Sequence, residues 1–266
     1  MLSAEEARPT FPEGTPMTLM SAYLERIVEL LGRIEAEESA SIAKAAELVA
    51  DHAGRDRLVY IYGPGGHSNL AAQEVFFRAG GLVNVSAVLD EGTLLSGGAL
   101  RSMAMERTPG YGRLVIEDNR IGQDDLLILV NAYGINAALI DAALTAKERG
   151  ATVIGVSSRV HADSTAPGHP ARHPSKRNLH DLVDVHVDTK VPVGDAVLDI
   201  EGAGERVGAI STFANAFALN ALMAEAIRTL VSGGLQPDIW RSGNAPEGDE
   251  RNALFLDRFR GRVRWL

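Results

Sequence analysis

Short, largely apolar runs alternate with helical segments through the middle of the chain. The clearest run is Leu126–Val130, and similar runs occupy residues 57–62, 82–89, 152–156 and 183–187, with a shorter one at 114–116. A strand that is covered by helices on both faces of a parallel sheet has this continuous apolar character. Repeated strand–helix units connect parallel neighbours through right-handed crossovers. The sequence therefore predicts an α/β fold built on a doubly wound parallel sheet.

Segments of helical periodicity lie on both sides of this region. Apolar residues recur at helical spacing over residues 20–34 and again over 42–49, which form either two helices or one helix that continues after a break. Thr15 and Pro16 have the order of an N-cap and a first-turn proline. These helices cover the sheet or form a contact between subunits, and the sequence leaves both possibilities open. A further buried helix is predicted over residues 209–231.

The chain shows neither an internal repeat nor a low-complexity segment, so one domain is the simplest organisation. We expect residues 18–266 to form that domain and residues 1–17 to form a loose tail, which lacks the apolar core of a signal peptide. The last segment, residues 253–266, docks on the body through its aromatic side chains. A length of 266 residues is ample for one large α/β domain with helical additions.

Composition argues against several classes of function. The formal net charge is −9, whereas a protein that binds the phosphate backbone of nucleic acid needs a basic face. Cysteine is absent, which excludes disulfides and thiolate metal sites and favours a reducing cytoplasm. The long uncharged stretch 207–224 contains hydroxyl and amide side chains and fits a buried helix better than a membrane span. We expect a cytoplasmic protein with neither nucleic acid nor membrane as a partner.

Ligands of doubly wound sheets bind at the carboxyl ends of the strands. Three segments that follow predicted strands should therefore converge: residues 63–68 (Gly-Pro-Gly-Gly-His-Ser), residues 131–136 (Asn-Ala-Tyr-Gly-Ile-Asn) and the segment from Ser157 onward. Glycines in the first segment allow close approach of the backbone, and the helix behind them offers unpaired N–H groups to an anion. An ordinary tight turn is the alternative. The spacing matches neither a Rossmann G-x-G-x-x-G motif nor a P-loop.

The stretch 158–181 is long, irregular and rich in proline, histidine and cations. Long segments inside a compact domain are often lids or binding loops. We interpret this stretch as a flexible cationic flap over an anionic ligand, with a merely solvated loop as the alternative. Its histidines match no recognised metal-ligand spacing, so no metal site is predicted. The predicted binding residues are Gly65, Gly66, Ser68, Asn131, Tyr133, Gly134, Asn136, Ser157, Ser158, His173 and Lys176.

Residues 62–68, 126–136 and 151–158 together resemble the SIS (sugar isomerase) domain. Residues 74–81, 194–198 and 249–252 resemble, more narrowly, an uncharacterised bacterial branch of that family, and the resemblance spans about residues 18–262. It implies a five-stranded parallel sheet flanked by helices, a phosphosugar bound at the strand ends, and a homodimer or homotetramer. The activity it implies needs neither a metal ion nor a nucleotide cofactor.

Two departures from that family pattern bear on function. Many SIS domains hold phosphate with a loop rich in serine and threonine after the central strand, whereas residues 131–136 provide two amides and backbone N–H groups. The phosphate is then held elsewhere, or the ligand carries another anionic group. The heptose-phosphate isomerase branch has a catalytic histidine and glutamate one turn apart on the first-loop helix, where this chain has Gln73 and Glu74. That catalytic pair cannot be transferred.

Aldose–ketose isomerisation needs a base that removes a proton next to a carbonyl and a donor that stabilises the enediolate. The candidate catalytic residues are His67 in the glycine loop, Glu91 at a strand end and Glu201 beyond the turn at residues 194–195, and each has a structural role as its alternative. The leading hypothesis is isomerisation of a sugar phosphate. The alternatives are a non-catalytic sugar-phosphate sensor, for which the chain lacks a helix-turn-helix pattern, and lyase, etherase or deaminase chemistry on an amino-sugar phosphate.

Overall fold

The computed structural model describes residues 18–266, and the predicted tail and the predicted cap at Thr15 lie outside this range. The helices are α1 (Leu19–Gly54), α2 (Ser68–Val75), α3 (Ala99–Glu106), α4 (Tyr111–Asp118), α5 (Ala137–Glu148), α6 (Arg159–Ser164), α7 (Ser211–Ser232) and α8 (Gly248–Phe259). The strands are β1 (Val59–Tyr62), β2 (Val85–Ala87), β3 (Leu126–Val130), β4 (Thr152–Ser157), β5 (Val185–Asp188), β6 (Ala196–Leu198) and β7 (Val207–Ala209). Short 3₁₀ turns cover Leu95–Gly97 and Leu179–Asp181.

Strands β1 to β5 form one parallel sheet in the order β2-β1-β3-β4-β5, which confirms the predicted fold class. The central strand β3 is buried at every residue, as its continuous apolar sequence predicts. The chain runs from β1 outward to β2 and then returns to β3 on the other side of β1. The strand order therefore reverses between β1 and β3, and the loops that follow these two strands emerge side by side.

Helices cover both faces of the sheet. Leu126, Ile128 and Val130 of β3 face the layer formed by α1, α2 and α7. Leu127 and Leu129 face the layer formed by α4 and α5. This division follows from the strand geometry, because successive side chains point to opposite faces. Each such aliphatic side chain contributes roughly 1.5–3 kcal/mol when it is removed from water, so the two layers fix the sheet from both sides.

Helix α1 is unbroken for 36 residues, so the two N-terminal segments of helical periodicity belong to one helix. It begins after Thr18, whose side chain accepts a hydrogen bond from the Ser21 N–H. Farther along, the buried Glu38 accepts hydrogen bonds from Lys190 Nζ at 2.6 Å and from the Asp188 N–H at 3.2 Å. These contacts tie the long helix to the end of β5.

The strand predicted at residues 114–116 is wrong, because these residues lie in α4. Leu114 is exposed whereas its neighbours Val115 and Ile116 are both buried, a pattern that fits a helix and not the alternation of a half-exposed strand. The strand predicted over residues 82–89 is reduced to β2. Leu82 instead forms an antiparallel bridge with Ile239, a contact far away in sequence.

The stretch 158–181 differs from the predicted irregular flap. It contains α6 and a 3₁₀ turn, and Arg172 fastens it internally. The Arg172 guanidinium donates from Nε to the Thr165 carbonyl oxygen at 3.0 Å and from Nη1 to Asn178 Oδ1 at 2.8 Å. One of the predicted cationic groups is therefore used to fold the segment.

Sequence reasoning also misses the antiparallel hairpin of β6 and β7. Helix α2 ends at Val75, after which Phe76 is extended and Phe77 has a φ of +50°. In the C-terminal segment, Phe255 and Phe259 are buried as expected, whereas Trp265 is 37% exposed. No helix among residues 18–266 combines the length and the apolar character that a membrane span requires.

Candidate functional site

A cavity of about 330 Å³ opens where the loops after β1 and β3 meet. The 3₁₀ turn, α3, the turn before β6 and the start of α7 complete its wall. Among the residues that the structure describes, neither lysine nor arginine lines it. The lining residues are Gly65, Gly66, His67, Ser68, Leu95, Ala99, Ser102, Met103, Glu106, Asn131, Ala132, Tyr133, Asn136, Asp195, Ala209, Ser211 and Thr212.

The loop after β1 presents its backbone to the cavity. Gly65 has a φ of +123°, a conformation that side chains disfavour, and Asn69 Nδ2 donates to its carbonyl oxygen at 2.9 Å. The backbone N–H groups of Gly66, His67 and Ser68 donate to no acceptor within the described part of the chain. They lie at the positive end of α2, where unpaired N–H groups favour an anion. The loop therefore offers three backbone donors to a ligand.

The loop after β3 is fixed by the buried side chain of Asn131. Its Nδ2 group donates to the Pro64 carbonyl oxygen at 3.1 Å and to Ser68 Oγ at 3.2 Å. Its Oδ1 atom accepts hydrogen bonds from the N–H groups of Tyr133 and Gly134. An amide suits this position because it donates and accepts at the same time. Asn131 thus joins the two loops and shapes the second one.

Tyr133 and Asn136 are the other polar side chains from this loop. The Tyr133 ring stacks on His161 with centroids 3.7 Å apart. Burial, and to a smaller extent the charges of Asp195 and Glu106, raise the pKa of Tyr133, so its hydroxyl stays protonated and can donate. Asn136 is the buried N-cap of α5, yet its side chain makes no capping hydrogen bond. Its amide can therefore meet a ligand.

Aliphatic hydroxyls reach the cavity from α2, α3 and α7. They belong to Ser68, Ser102, Ser211 and Thr212. Ser102 Oγ donates to the Thr93 carbonyl oxygen at 2.7 Å, whereas Ser68 Oγ accepts from Asn131 and keeps its own proton for another partner. The aliphatic hydroxyls of the lining thus come from α2, α3 and α7, whereas residues 131–136 contain neither serine nor threonine.

Glu106, the last residue of α3, is a half-buried carboxylate in this wall. Burial raises its pKa to about 7, against the opposing charge of Arg107. The carboxylate makes no hydrogen bond with any residue from 18 to 266. A Cβ atom added to Gly65 would lie 2.5 Å from Glu106 Oε2, 3.6 Å from Ser68 Oγ and 3.7 Å from Asn131 Nδ2. Glycine at residue 65 therefore allows Glu106 Oε2 to approach the loop closely, on the side where Ser68 Oγ and Asn131 Nδ2 also lie.

Asp195, the second carboxylate of the lining, is used within the protein. Its Oδ1 atom accepts from the N–H groups of Ile210 at 3.0 Å and Ser211 at 2.7 Å, and Oδ2 accepts from Ser211 Oγ at 2.7 Å. Its charge thereby compensates the positive end of α7. Over residues 18–266, no group of three or more histidine, aspartate or glutamate side chains is placed to hold a metal ion.

A family model described as the SIS domain matches residues 22–158, just over half of the chain. The chain belongs to the SIS domain family. It is 35% identical over 245 residues to a UPF0309 protein of Halalkalibacterium halodurans, which covers 92% of this chain and 96% of that relative. It is 37% identical over 240 residues to a UPF0309 protein of Brucella anthropi, with 90% and 96% covered. The resemblance to an SIS branch is confirmed.

Among solved structures, the fold of this SIS protein is similar to that of phosphoheptose isomerase from Neisseria gonorrhoeae. The TM-score is 0.53 at 16% identity, over 80% of this chain and 97% of the isomerase. Similarity at this level establishes the fold. The two α2 residues that depart from the heptose-phosphate isomerase pattern, Gln73 and Glu74, do not line the cavity, and Glu74 pairs with Arg78 at 3.3 Å.

The structure brings seven of the predicted site residues together around the cavity. These are Gly65, Gly66, His67, Ser68, Asn131, Tyr133 and Asn136. Three others lie behind the wall. Ser157 Oγ is 3.0 Å from His186 Nε2, Ser158 Oγ donates to the Val191 carbonyl oxygen at 2.6 Å, and Gly134 packs on Ser157. The segment after β4 therefore supports the site from behind.

The remaining four predicted site residues do not line the cavity. His173 Nε2 is 3.0 Å from Asp141 Oδ1, which fixes the imidazole on α5. Lys176 is exposed within the folded stretch 158–181. Glu91 is exposed and lines a separate hollow, and Glu201 is exposed in the turn between β6 and β7. These positions separate the two glutamates from the loops that the sequence predicts to bind the ligand.

Sequence reasoning misses Ser102, Glu106, Asp195, Ser211 and Thr212 as site residues. For Asp195 the sequence gives a local indication, since glycine followed by aspartate is typical of a tight turn. Both residues have positive φ angles in the structure. Helix α3 carries no comparable indication. Its place depends on contacts with α4 and α5 and on the hydrogen bond from Ser102 to Thr93, and no spacing pattern encodes these contacts.

Proposed function

We propose that this SIS protein binds a sugar phosphate in the cavity and converts it between its aldose and ketose forms through an enediolate. The observation that carries the proposal is the set of three unpaired N–H donors at Gly66, His67 and Ser68 in the cavity wall. Backbone donors at a helix N-terminus bind a phosphate without a lysine or arginine. Membership of the SIS family supports the same ligand class.

The rest of the lining suits the polyhydroxylated carbon chain of such a ligand. Asn136 and Tyr133 offer an amide and a phenol, and Thr212 adds a hydroxyl. Leu95 and Met103 give an apolar surface on which the C–H groups of a sugar can pack. A small number of placed polar groups in a partly apolar hollow is typical of small-molecule sites. His67 remains a candidate acid–base residue, since its exposed imidazole belongs to the lining.

Binding without catalysis is the second candidate function. It is favoured by Gln73 and Glu74, which stand where the heptose-phosphate isomerase branch has its catalytic pair and do not line the cavity. Lyase or deaminase chemistry on an amino-sugar phosphate uses much the same groups and is the third. All three functions share the ligand class, so ligand and reaction need separate tests.

A thermal-shift panel tests the ligand. Each sugar phosphate is compared with the same sugar without phosphate and with inorganic phosphate. A ligand at about 100 times its Kd stabilises by about 2.7 kcal/mol, which is about 5–10 °C for a chain of this size. We expect such shifts with phosphorylated sugars and none with free sugars. Equal shifts with a free sugar and its phosphate would contradict the role given to the three N–H groups.

A matched pair of variants ties the binding to the cavity. Ser68→Ala removes a hydroxyl from the lining, whereas Ser164→Ala removes an exposed hydroxyl on α6. Loss of one ligand hydrogen bond weakens binding by roughly 1 kcal/mol, about fivefold in Kd. We expect that loss in Ser68→Ala alone. The same Kd in both variants would place the ligand elsewhere.

Solvent deuterium tests the reaction. An isomerase incorporates deuterium at C1 or C2 of a bound aldose or ketose phosphate, because the transferred proton exchanges with water from the enzyme. A binding protein gives a thermal shift without incorporation. Release of ammonia from an amino-sugar phosphate would identify the deaminase. These readouts separate the three candidate functions on the same set of ligands.

We further propose a homodimer or homotetramer in the cytoplasm. The first turns of α1 expose Leu19, Met20, Leu24 and Val28, and Phe213 at the start of α7 is exposed as well. Apolar side chains that cluster at a surface commonly mark contacts between chains. Light scattering coupled to size-exclusion chromatography gives the mass in solution. A monomer at micromolar concentration would contradict this part of the proposal.

A further inference from the structure

We infer that Glu106 is the acid–base residue that moves the proton in this isomerisation, an inference that rests on the proposed function. Sequence reasoning does not include it among the candidate catalytic residues. The side chain reaches the cavity from the C-terminal end of α3. Its assignment follows from where its carboxylate lies, from the lack of any competing use for that carboxylate, and from the contacts that hold α3 in place.

The carboxylate of Glu106 lies next to Gly65 in the cavity wall. A Cβ atom at residue 65 would lie 2.5 Å from Glu106 Oε2 and 3.6 Å from Ser68 Oγ. No protein side chain occupies this point, since the residue is glycine. Glu106 Oε2 and Ser68 Oγ therefore lie beside the same glycine in the cavity wall, so a ligand carbon in the adjacent cavity has a base and a hydroxyl donor within reach. That is the pair of groups that enediolate chemistry needs.

The other titratable candidates are less suited to this role. Both carboxylate oxygens of Asp195 already accept hydrogen bonds, three in total, at the start of α7. Glu91 and Glu201 do not line the cavity. His67 lines it but is exposed. Of the two carboxylates in the lining, as far as residues 18–266 show, only Glu106 keeps both oxygens free.

Hydrogen bonds fix the end of α3 against the glycine loop. Ser102 Oγ donates to the Thr93 carbonyl oxygen at 2.7 Å, and Asn69 Nδ2 donates to the same oxygen at 3.2 Å. The Thr93 N–H and hydroxyl donate to Asp90 Oδ2 at 3.1 and 3.0 Å. Because Asn69 also holds the Gly65 carbonyl oxygen, the network links Glu106 to the point that it faces. The helix that carries the carboxylate is thus in place before the ligand arrives.

The protonation of Glu106 suits a group that both removes and returns a proton. Burial raises its pKa to about 7, so both forms are populated near neutral pH. The charged groups around it are the Arg107 guanidinium, which lowers its pKa, and the Asp195 carboxylate across the cavity. His67 and Tyr133 are the other titratable side chains in the lining.

The proton transfer balances without a co-reactant. The Glu106 carboxylate removes the proton from C2 of the open-chain aldose phosphate, the C–H electron pair forms the C1=C2 bond, and the carbonyl electrons move onto O1. Ser68 Oγ–H donates to the enediolate. A proton passes from the O2 hydroxyl to O1, and the Glu106 carboxyl returns its proton to C1. The C1=C2 electrons form the new C1–H bond, and the ketone is left at C2.

The test uses Glu106→Gln, Glu106→Asp and, as a matched control, Glu117→Gln on the exposed face of α4. The substrate is a sugar phosphate that stabilises the wild-type protein. We expect Glu106→Gln to keep the thermal shift and to lower the rate of deuterium incorporation by at least about 100-fold, the usual contribution of general acid–base catalysis. Glu106→Asp should retain part of the rate, and Glu117→Gln all of it.

The outcomes separate this inference from the proposed function. Incorporation in wild type that persists in Glu106→Gln overturns the assignment of Glu106 and leaves the isomerase standing. A bound ligand that never exchanges in wild type overturns both catalysis and the assignment. If Glu106→Gln no longer binds, the exchange rate of Glu106→Asp at saturation decides, since a wild-type rate there contradicts the inference.

The pH dependence of the exchange rate adds a readout that a structural role would not change. In wild type the rate of proton removal from the aldose should rise with an inflection near pH 7, because the carboxylate is the active form. The inflection should shift in Glu106→Asp. An inflection that stays unchanged in Glu106→Asp would assign the titration to another group and contradict the inference.

Discussion

Replacing Glu106 by glutamine should stabilise the ligand-free protein at alkaline pH and leave it nearly unchanged in mild acid. Burial raises the pKa of Glu106 from 4.5 to about 7. Between these values the folded state binds a proton that the unfolded state has released, so stability falls as pH rises. Glutamine has the shape of the protonated carboxyl and carries no charge. The variant therefore avoids a penalty that wild type meets only when the carboxylate is ionised.

The magnitude follows from the size of the shift. A difference of about 2.5 pKa units corresponds to about 3.4 kcal/mol at about 1.36 kcal/mol per unit. About three-quarters of this energy should be lost from the folding stability between about pH 5 and about pH 8, because the proton is released over that range. Because Glu106 is only half-buried, solvent screening reduces the effect, and we expect a relative gain of about 1–2 kcal/mol at about pH 8. For a chain of this length that gain raises Tm by about 2–6 °C.

Thermal unfolding of wild type, Glu106→Gln and Glu117→Gln over this pH range measures the effect. The quantity of interest is the difference in Tm between each variant and wild type at each pH. It should grow with pH for Glu106→Gln and stay flat for Glu117→Gln, whose site on α4 is exposed. A flat difference for Glu106→Gln would show that its carboxylate ionises normally. The reasoning from burial would then be refuted.

Three further perturbations test the framework around the cavity. Asp195→Ala removes the acceptors at the start of α7 and should cost about 1–2 kcal/mol, seen as a lower Tm that Asp195→Asn partly restores. Lys190→Met leaves the buried carboxylate of Glu38 without its partner, 2.6 Å away, and should cost about 3 kcal/mol in chemical unfolding; a smaller loss in the double variant with Glu38→Gln checks the pairing. Burial lowers the pKa of His186 from 6.5 to about 3, so wild type loses stability as pH falls below about 6.5. His186→Gln keeps a hydrogen-bond partner for Ser157. It should reduce the loss of stability in acid by about 2 kcal/mol, and an unchanged loss would contradict the reasoning from burial.

The sequence predicts best those strands and loops that are determined by residues adjacent in the chain. The central strand is readable because five adjacent aliphatic residues, Leu126–Val130, suit only a strand covered on both faces. The loops of the cavity could be predicted because residues 63–68 and 131–136 directly follow strands, and parallel strands bring their carboxyl ends to one edge. The strand predicted at residues 114–116 fails because three apolar residues are too few to distinguish a strand period from a helix period.

The place of Glu106 in the cavity wall could not be predicted from the local sequence, for a physical reason. Helix α3 is short, and Leu100 in it is 78% exposed. Its apolar residues therefore do not indicate which face of the helix packs against the rest of the domain. Its position depends on packing against α4 and α5 and on the hydrogen bond from Ser102 to Thr93, and Glu106 can approach residue 65 closely because that residue is glycine. The unpaired backbone donors thus belong to one short segment, whereas the placement of Glu106 depends on a contact between distant segments. A sequence of this kind indicates the class of ligand more firmly than the reaction, because variation in one peripheral helix can change the side chain at residue 106 without disturbing the loops after β1 and β3.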